Sequence, residues 1–234
     1  MSCISDLSQP FPQTGHLAEN LNLSLDDLLK IDTTNAIVYS YIVRTVKNSE
    51  GHFIQTGSAP NFQGDVITLC TCKHRMRTSL HKMLDWKNKW IAGFTGVEAG
   101  NGSNALFYLM KVGYVFESYS DFWNSKEISR ETKQAKAARF HRCGDIYEPK
   151  DTYSSPFDYQ SYERPCKEHS HYKDNIWHKD IDYKGYKRRK PVLLAGDTDY
   201  SFLWIKPEIV YNDRLPRNPK KLELKDMIEN LKIV

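Results

Sequence analysis

The stretch from Lys89 to Phe116 constrains the fold most. "KWIAGFTG" (89–96) and "ALFYLMKVGYVF" (105–116) are apolar runs of strand texture, and "AGNGS" (99–103) between them is a cluster of turn residues. Together they read as an antiparallel hairpin. The same mixture of β-branched and aromatic residues recurs in "AIVYSYIVRTV" from Ala36, in "GDVITLCTC" (64–72) and, twice, in "KPVLLAGDTDYSFLWI" (190–205). Strands are therefore expected near 37–46, 64–72, 89–95, 105–117, 191–196 and 200–205.

Helical signals lie between and after these runs. Ser24 offers an N-cap with Asp27 three residues on, and Met76, Leu80 and Leu84 have helical spacing after the second strand. "DFWNSKEISRETKQAKAARFHR" (121–142) reads as one helix with Lys126, Arg130 and Lys133 on one face. Leu224, Met227, Ile228, Leu231 and Val234 share a face of a closing helix. The expected class is α+β: a mainly antiparallel, curved sheet or small barrel with flanking helices, by analogy with PUA- and EVE-like barrels. Its expected parts are a loose N-terminal arm and short helix (1–35), a central domain (36–210) and a C-terminal tail with the closing helix (211–234).

Composition narrows the function classes. No window approaches the roughly 20 apolar residues of a membrane helix, and the first residues lack a basic start followed by an apolar run, so a soluble, cytoplasmic protein is expected. Five cysteines, an odd number, do not form a disulfide framework in a chain of 234 residues, and reduced thiols are expected. Cys70, Cys72, His74, Cys143, Cys166, His169 and His171 are all potential zinc ligands, but their spacings lack the knuckle of a structural site, and no metal is expected. Walker, dinucleotide-fingerprint, zinc-deaminase and nucleophile-elbow motifs are absent, which takes most of the support from ATPase, hydride-transfer and deaminase chemistries.

Charge points elsewhere. The formal net charge is only +4, yet "KHRMR" (73–77), the 126–142 segment and "KGYKRRKP" (184–191) concentrate it, interleaved with Trp177, Tyr183 and Tyr186. Cations among rings suit phosphates and stacked bases, although each run is equally readable as a solvated face. "FHRCGDIYEP" (140–149) gathers a thiol, a carboxylate and a phenol. It can be read as a reaction centre, or as a helix C-terminus in which Gly144 takes the left-handed C′ position and Asp145 bonds nearby amides.

Seven strings fall in one order: "YSYIVR" (39–44), "APNF" (59–62), "ITLCTCKHRMR" (67–77), "WIAGFTG" (90–96), "LFYLMKV" (106–112), "RCGDIYEP" (142–149) and "VLLAGD" with "YSFLW" (192–204). Over about 36–205 the chain thereby resembles the nucleotide modification associated domain of the second type. It departs from that pattern at His74, where proline is usual, at Asn88 and Lys89, and in "CGDIY", which lacks an asparagine; "KDNIWHKDI" (173–181) is a second candidate for the same counterpart.

The resemblance implies a protein that modifies or binds a nucleobase or nucleotide, in a phage-related or anti-phage setting, with a nucleic acid or nucleotide as partner. The alternatives are a non-catalytic reader of modified bases and an interaction subunit with no nucleotide pocket. It implies no particular cofactor, and leaves open whether the chain is an enzyme. Asp145, Tyr147 and Cys143 are the candidate catalytic residues, with Asp145 as general base. Tyr39, Arg44, Asn61, Lys73, Arg77 and His178 are the candidate nucleotide-binding residues; the Asn61 amide suits a base edge, or closes its own turn.

Overall fold

The computed structural model describes residues 8–152, 154–173, 176–183 and 189–234. The strands, in chain order, are β1 (Ile37–Val43), β2 (Val46–Ser49), β3 (His52–Gln55), β4 (Thr68–Leu69), β5 (Trp90–Thr95), β6 (Asn104–Phe116), β7 (Leu193–Leu203), β8 (Ile209–Tyr211), β9 (Lys220–Glu223) and β10 (Leu231–Ile233). The helices are α1 (His16–Glu19), α2 (Leu25–Leu28), α3 (His74–Arg77), α4 (Tyr119–Asn124), α5 (Arg130–Lys136), α6 (Trp177–Asp182) and α7 (Leu224–Glu229). The chain forms two compact units, each assembled from three separate segments: unit 1 from 1–10, 57–86 and 114–195, and unit 2 from 11–56, 87–113 and 196–234.

Unit 2 carries a curled, half-barrel sheet in the order β10-β8-β6-β5-β1-β9. The α+β class and the curved sheet are as expected. The hairpin of β5 and β6 is present, with Trp90 opposite Lys111 and a bulge between Gly93 and Phe94. Gly93 is required there because a Cβ would lie 2.2 Å from the Tyr108 ring. β1 pairs with β5 in parallel, the exception in an otherwise antiparallel sheet. Tyr41 and Tyr108 are buried and share a hydroxyl hydrogen bond of 2.8 Å, which satisfies both polar tips inside the core.

Several elements differ from the sequence expectation for local reasons. β2 and β3 form a separate hairpin around Glu50 (φ 53°) and Gly51 (φ 82°), two successive left-handed residues of the kind that a tight hairpin turn needs. The stretch 190–205 makes one strand, β7, where two were expected, and 64–72 contributes only the two residues of β4. The segment 121–142 is not one helix. Ser118 and Ser129 each accept a backbone N–H three residues on, from Asp121 and Thr132, so α4 and α5 start separately and Lys126 stands outside both. α2 is capped by Ser24 through Asp27 N–H, as expected. The closing helix stops at Glu229, and Leu231 continues in β10, leaving Val234 exposed.

Unit 1 has few aliphatic residues, and its core is aromatic. Tyr119, Tyr147, Tyr162, Phe122 and Trp177 are buried together with Val66, Ile128, Ile146 and Leu193. Each buried phenol finds an acceptor: Tyr119 donates to the Cys70 carbonyl (3.1 Å), Tyr162 to the Pro156 carbonyl (2.8 Å) and Tyr147 to Asp180 (2.9 Å). Tyr147, Tyr162 and Trp177, all C-terminal to α5, thus help to form the interior of this unit. Gln9, expected in a loose arm, is 2% exposed and clamps the 57–62 turn: it donates to the Gly57 and Pro60 carbonyls and accepts from Phe62 N–H.

Candidate functional site

In unit 1 the loop after α5 folds back on the helix. Asp145 and Ile146 N–H both donate to the Lys136 carbonyl, and Ala138 N–H donates to the Ile146 carbonyl. This return is not a helix C-cap, and Gly144 does not adopt a left-handed φ. Glycine is needed for another reason: a Cβ at 144 would meet Ala138 Cα at 2.5 Å and its nitrogen at 2.6 Å, so the two backbone runs can approach this closely only without a side chain.

The fold-back buries a polar network. Asp145 is fully buried and accepts from Thr68 Oγ1 on both carboxylate oxygens at 3.0 Å. Burial raises its pKa to about 7, against the pull of Lys136 and Thr68. Lys136, equally buried, is lowered to about 8 by burial, against the attraction of Asp145. Its ammonium donates to the Asn61 carbonyl at 2.9 Å and lies 3.3 Å from the Asn61 side-chain oxygen, which also accepts from Gln63 N–H. Asn61 in turn donates to the Cys143 carbonyl at 3.1 Å.

His169 closes the network on one side. His171 N–H donates to its Nδ1, so the hydrogen sits on Nε2, which donates to the Gly144 carbonyl at 2.7 Å with Ser58 Oγ at 3.1 Å. The ring is neutral, and burial lowers its pKa to about 4. The nitrogen that could serve Ser58 as a base is therefore already a donor.

A second cluster reaches the surface. α6 directs Trp177, Asp180 and Ile181 inward, one face of the helix, and the Asp180 side chain is 2% exposed. One carboxylate oxygen accepts from His171 Nδ1 at 2.5 Å and from the Tyr147 hydroxyl at 2.9 Å. The other lies 3.4 Å from His74 Nε2, without hydrogen-bond alignment. The imidazoles of His74 and His171 are each 22% exposed, and His74 is stacked on Tyr183 with ring centroids 4.4 Å apart.

The charges in this cluster favour one another. Burial disfavours the Asp180 carboxylate, but the hydrogen bond from His171 and the proximity of the His74 ring outweigh it and hold the pKa below the usual value. Burial likewise disfavours a charged His171, but Asp180 prevails and raises it, whereas burial prevails at His74 and lowers it. A cavity of about 10 Å³ beside Tyr119, Asp180 and Leu193 has room for a single water molecule.

The expected site residues separate. Asp145 and Asn61 lie in the buried network, with Cys143 beside them; burial pushes the Cys143 thiol up to about 11, away from the thiolate a nucleophile requires. Cys70, Cys72 and Cys143 are free thiols, but Cys166 is disulfide-bonded, which corrects the expectation that the cysteines are all reduced. Tyr147 belongs to the second cluster. Arg77 is 1% exposed and donates to the Cys72 and Val192 carbonyls, while one of its terminal nitrogens is buried without a partner. Lys73 precedes α3 with φ 58°, and His178 stacks on Tyr159 at 3.7 Å. Tyr39 and Arg44 belong to unit 2.

Sequence reasoning missed Lys136, Thr68 and Asp180 as site residues, and saw His74 and His171 only as metal-ligand candidates. The one available signal was "KDNIWHKDI", which contains Asp180. Among the described residues no group of three or more His, Cys, Asp or Glu side chains is placed to hold a metal ion, and no helix is long and apolar enough to cross a membrane.

The architecture and these clusters define an α+β protein whose loops, more than its sheet, hold the polar machinery of unit 1. The family model of nucleotide modification associated domain 2 matches residues 35–187, and the chain belongs to that family. No curated protein and no solved structure matches it.

Proposed function

We propose that this protein modifies a nucleobase or nucleotide, and that the open face of His74 and His171 receives it. The observation that carries the reading is Asp180, nearly inaccessible itself, holding the partly exposed imidazole of His171 by its Nδ1 at 2.5 Å. A histidine so oriented has Nε2 as its working nitrogen, and a carboxylate behind it keeps the ring cationic to higher pH. His171 is the acid of the reaction in this reading. Tyr147 is a positioning residue, since its hydroxyl fixes the Asp180 oxygen that orients His171. Tyr183, stacked on His74, extends an aromatic surface of the sort on which bases stack.

Asp145 acts in this scheme through the backbone it anchors, and Cys143 has no chemical part. Lys73 and His178 are the rim groups for phosphate or sugar. The nucleic-acid or nucleotide partner, the cytoplasmic location and the phage-related or anti-phage setting belong to the same proposal, and the family resemblance supports them.

The test is a titration of nucleoside monophosphates and of short DNA and RNA strands against wild type, His171→Asn and Asp180→Asn. Wild type should bind at least one of them, and both variants should bind it at least tenfold more weakly, His171→Asn with little change in melting temperature. No binding by wild type, or equal binding by the variants, would refute the assignment.

A further inference from the structure

Unit 2 contains a groove that the reading above does not use. β1 and β5 run in parallel and end side by side, Val43 opposite Thr95. The chain leaving β1 turns into β2, and the chain leaving β5 turns at 97–100, so the two separate and open a cavity of about 540 Å³ lined by Arg44, Lys47, Asn48, Gly96, Glu98 and Ala99. Crevices at the carboxyl ends of parallel strands are where open sheets receive ligands, and this volume falls in the range of small-molecule sites.

The lining has the chemistry of an anion site with a hydroxyl acceptor at its rim. Arg44 and Lys47 are exposed cations. The Gly96 and Val97 carbonyls accept from Gly100 and Gly102 N–H, but the N–H groups of Val97, Glu98 and Ala99 have no hydrogen-bond partner among the described residues. Three successive free N–H groups in a turn make a concavity for an oxyanion. At Gly96 a Cβ would meet nothing within 4 Å, so that wall is open space.

We infer that this groove binds the phosphate of a nucleoside phosphate, with Arg44, Lys47 and the 97–99 amides on the phosphate and Glu98 accepting a sugar hydroxyl. The phosphate belongs either to a free nucleotide or to the end of a nucleic-acid strand. This site goes beyond the unit 1 cluster and does not depend on it.

The test titrates a ribonucleoside 5′-monophosphate, its deoxy counterpart, a 5′-phosphorylated single strand and inorganic phosphate against wild type and variants. Arg44→Glu combined with Lys47→Glu should weaken nucleoside phosphate binding at least tenfold without shifting the melting temperature, because both side chains are exposed. Glu98→Gln should erase any preference for ribose. In a His171→Asn background, where the unit 1 cluster is disabled, the binding that remains should still be lost on adding Arg44→Glu and Lys47→Glu, which separates a failure here from a failure of the unit 1 reading. Binding by the phosphorylated strand and not by the monophosphate would support the groove with the strand end as its source. Unchanged affinity in the double variant, or inorganic phosphate binding as tightly as the nucleotide, would overturn the inference.

Discussion

Asp145 and Lys136 are both fully buried, and burial draws their proton affinities towards each other, to about 7 and about 8. Asparagine at 145 keeps the shape but can offer only one acceptor to Thr68 and removes the carboxylate that favours the Lys136 cation. Asp145→Asn should therefore cost on the order of 2–4 kcal/mol in urea unfolding, and adding Lys136→Met should restore part of it, since no buried charge is then left alone. His169 makes a second prediction. Its folded pKa of about 4 lies below the ordinary 6.5, so between these values the unfolded chain binds the proton and the native chain does not. Stability should fall by about 3 kcal/mol as pH drops from 7 towards 4. In His169→Gln that share of the pH dependence should vanish, and an unchanged slope in thermal melts across the window would refute it.

At the scale of elements, the return of 137–146 against α5 rests on Gly144. Gly144→Ala should cost at least about 2 kcal/mol by the same unfolding measurement, because the atoms that a Cβ meets are backbone and cannot rotate away. The strands β1, β5 and β6 were legible in the sequence because strand texture there is long and turn residues separate the runs. α4 and α5 were misread as one helix because helix formers bridge Ser125 to Ser129, and only the capping role of Ser129 reveals the break. The β2–β3 hairpin escaped notice because Glu50 is an unusual residue for a left-handed turn position. The RCGD stretch was visible as a special turn, but Asp180 was not visible as its neighbour's partner: Tyr147 and His171 meet it only through tertiary packing, which no local pattern encodes.

For the whole molecule, charge read along the chain overstates the basic surface. Arg77 and Lys136 are interior, Lys133 is nearly so and donates to the Ser125 carbonyl, and 184–188 lies outside the described residues. Binding to a DNA or RNA strand should therefore weaken with salt, but by about 10- to 50-fold between 50 and 200 mM, as for two or three phosphate contacts. A salt-independent affinity, or a loss above a thousandfold, would contradict this count. The interleaving of the two units bears on how such a protein can be cut or joined. The family match ends at 187, yet β9, the outer neighbour of β1, lies beyond it, as do β8 beside β6 and β7 beside β4. A gene fragment trimmed to the shared stretch would leave those ladders open and sticky. Recombination, whether in a laboratory or in a genome, must carry the tail with the body, so the piece that is exchanged is longer than the piece that is recognised.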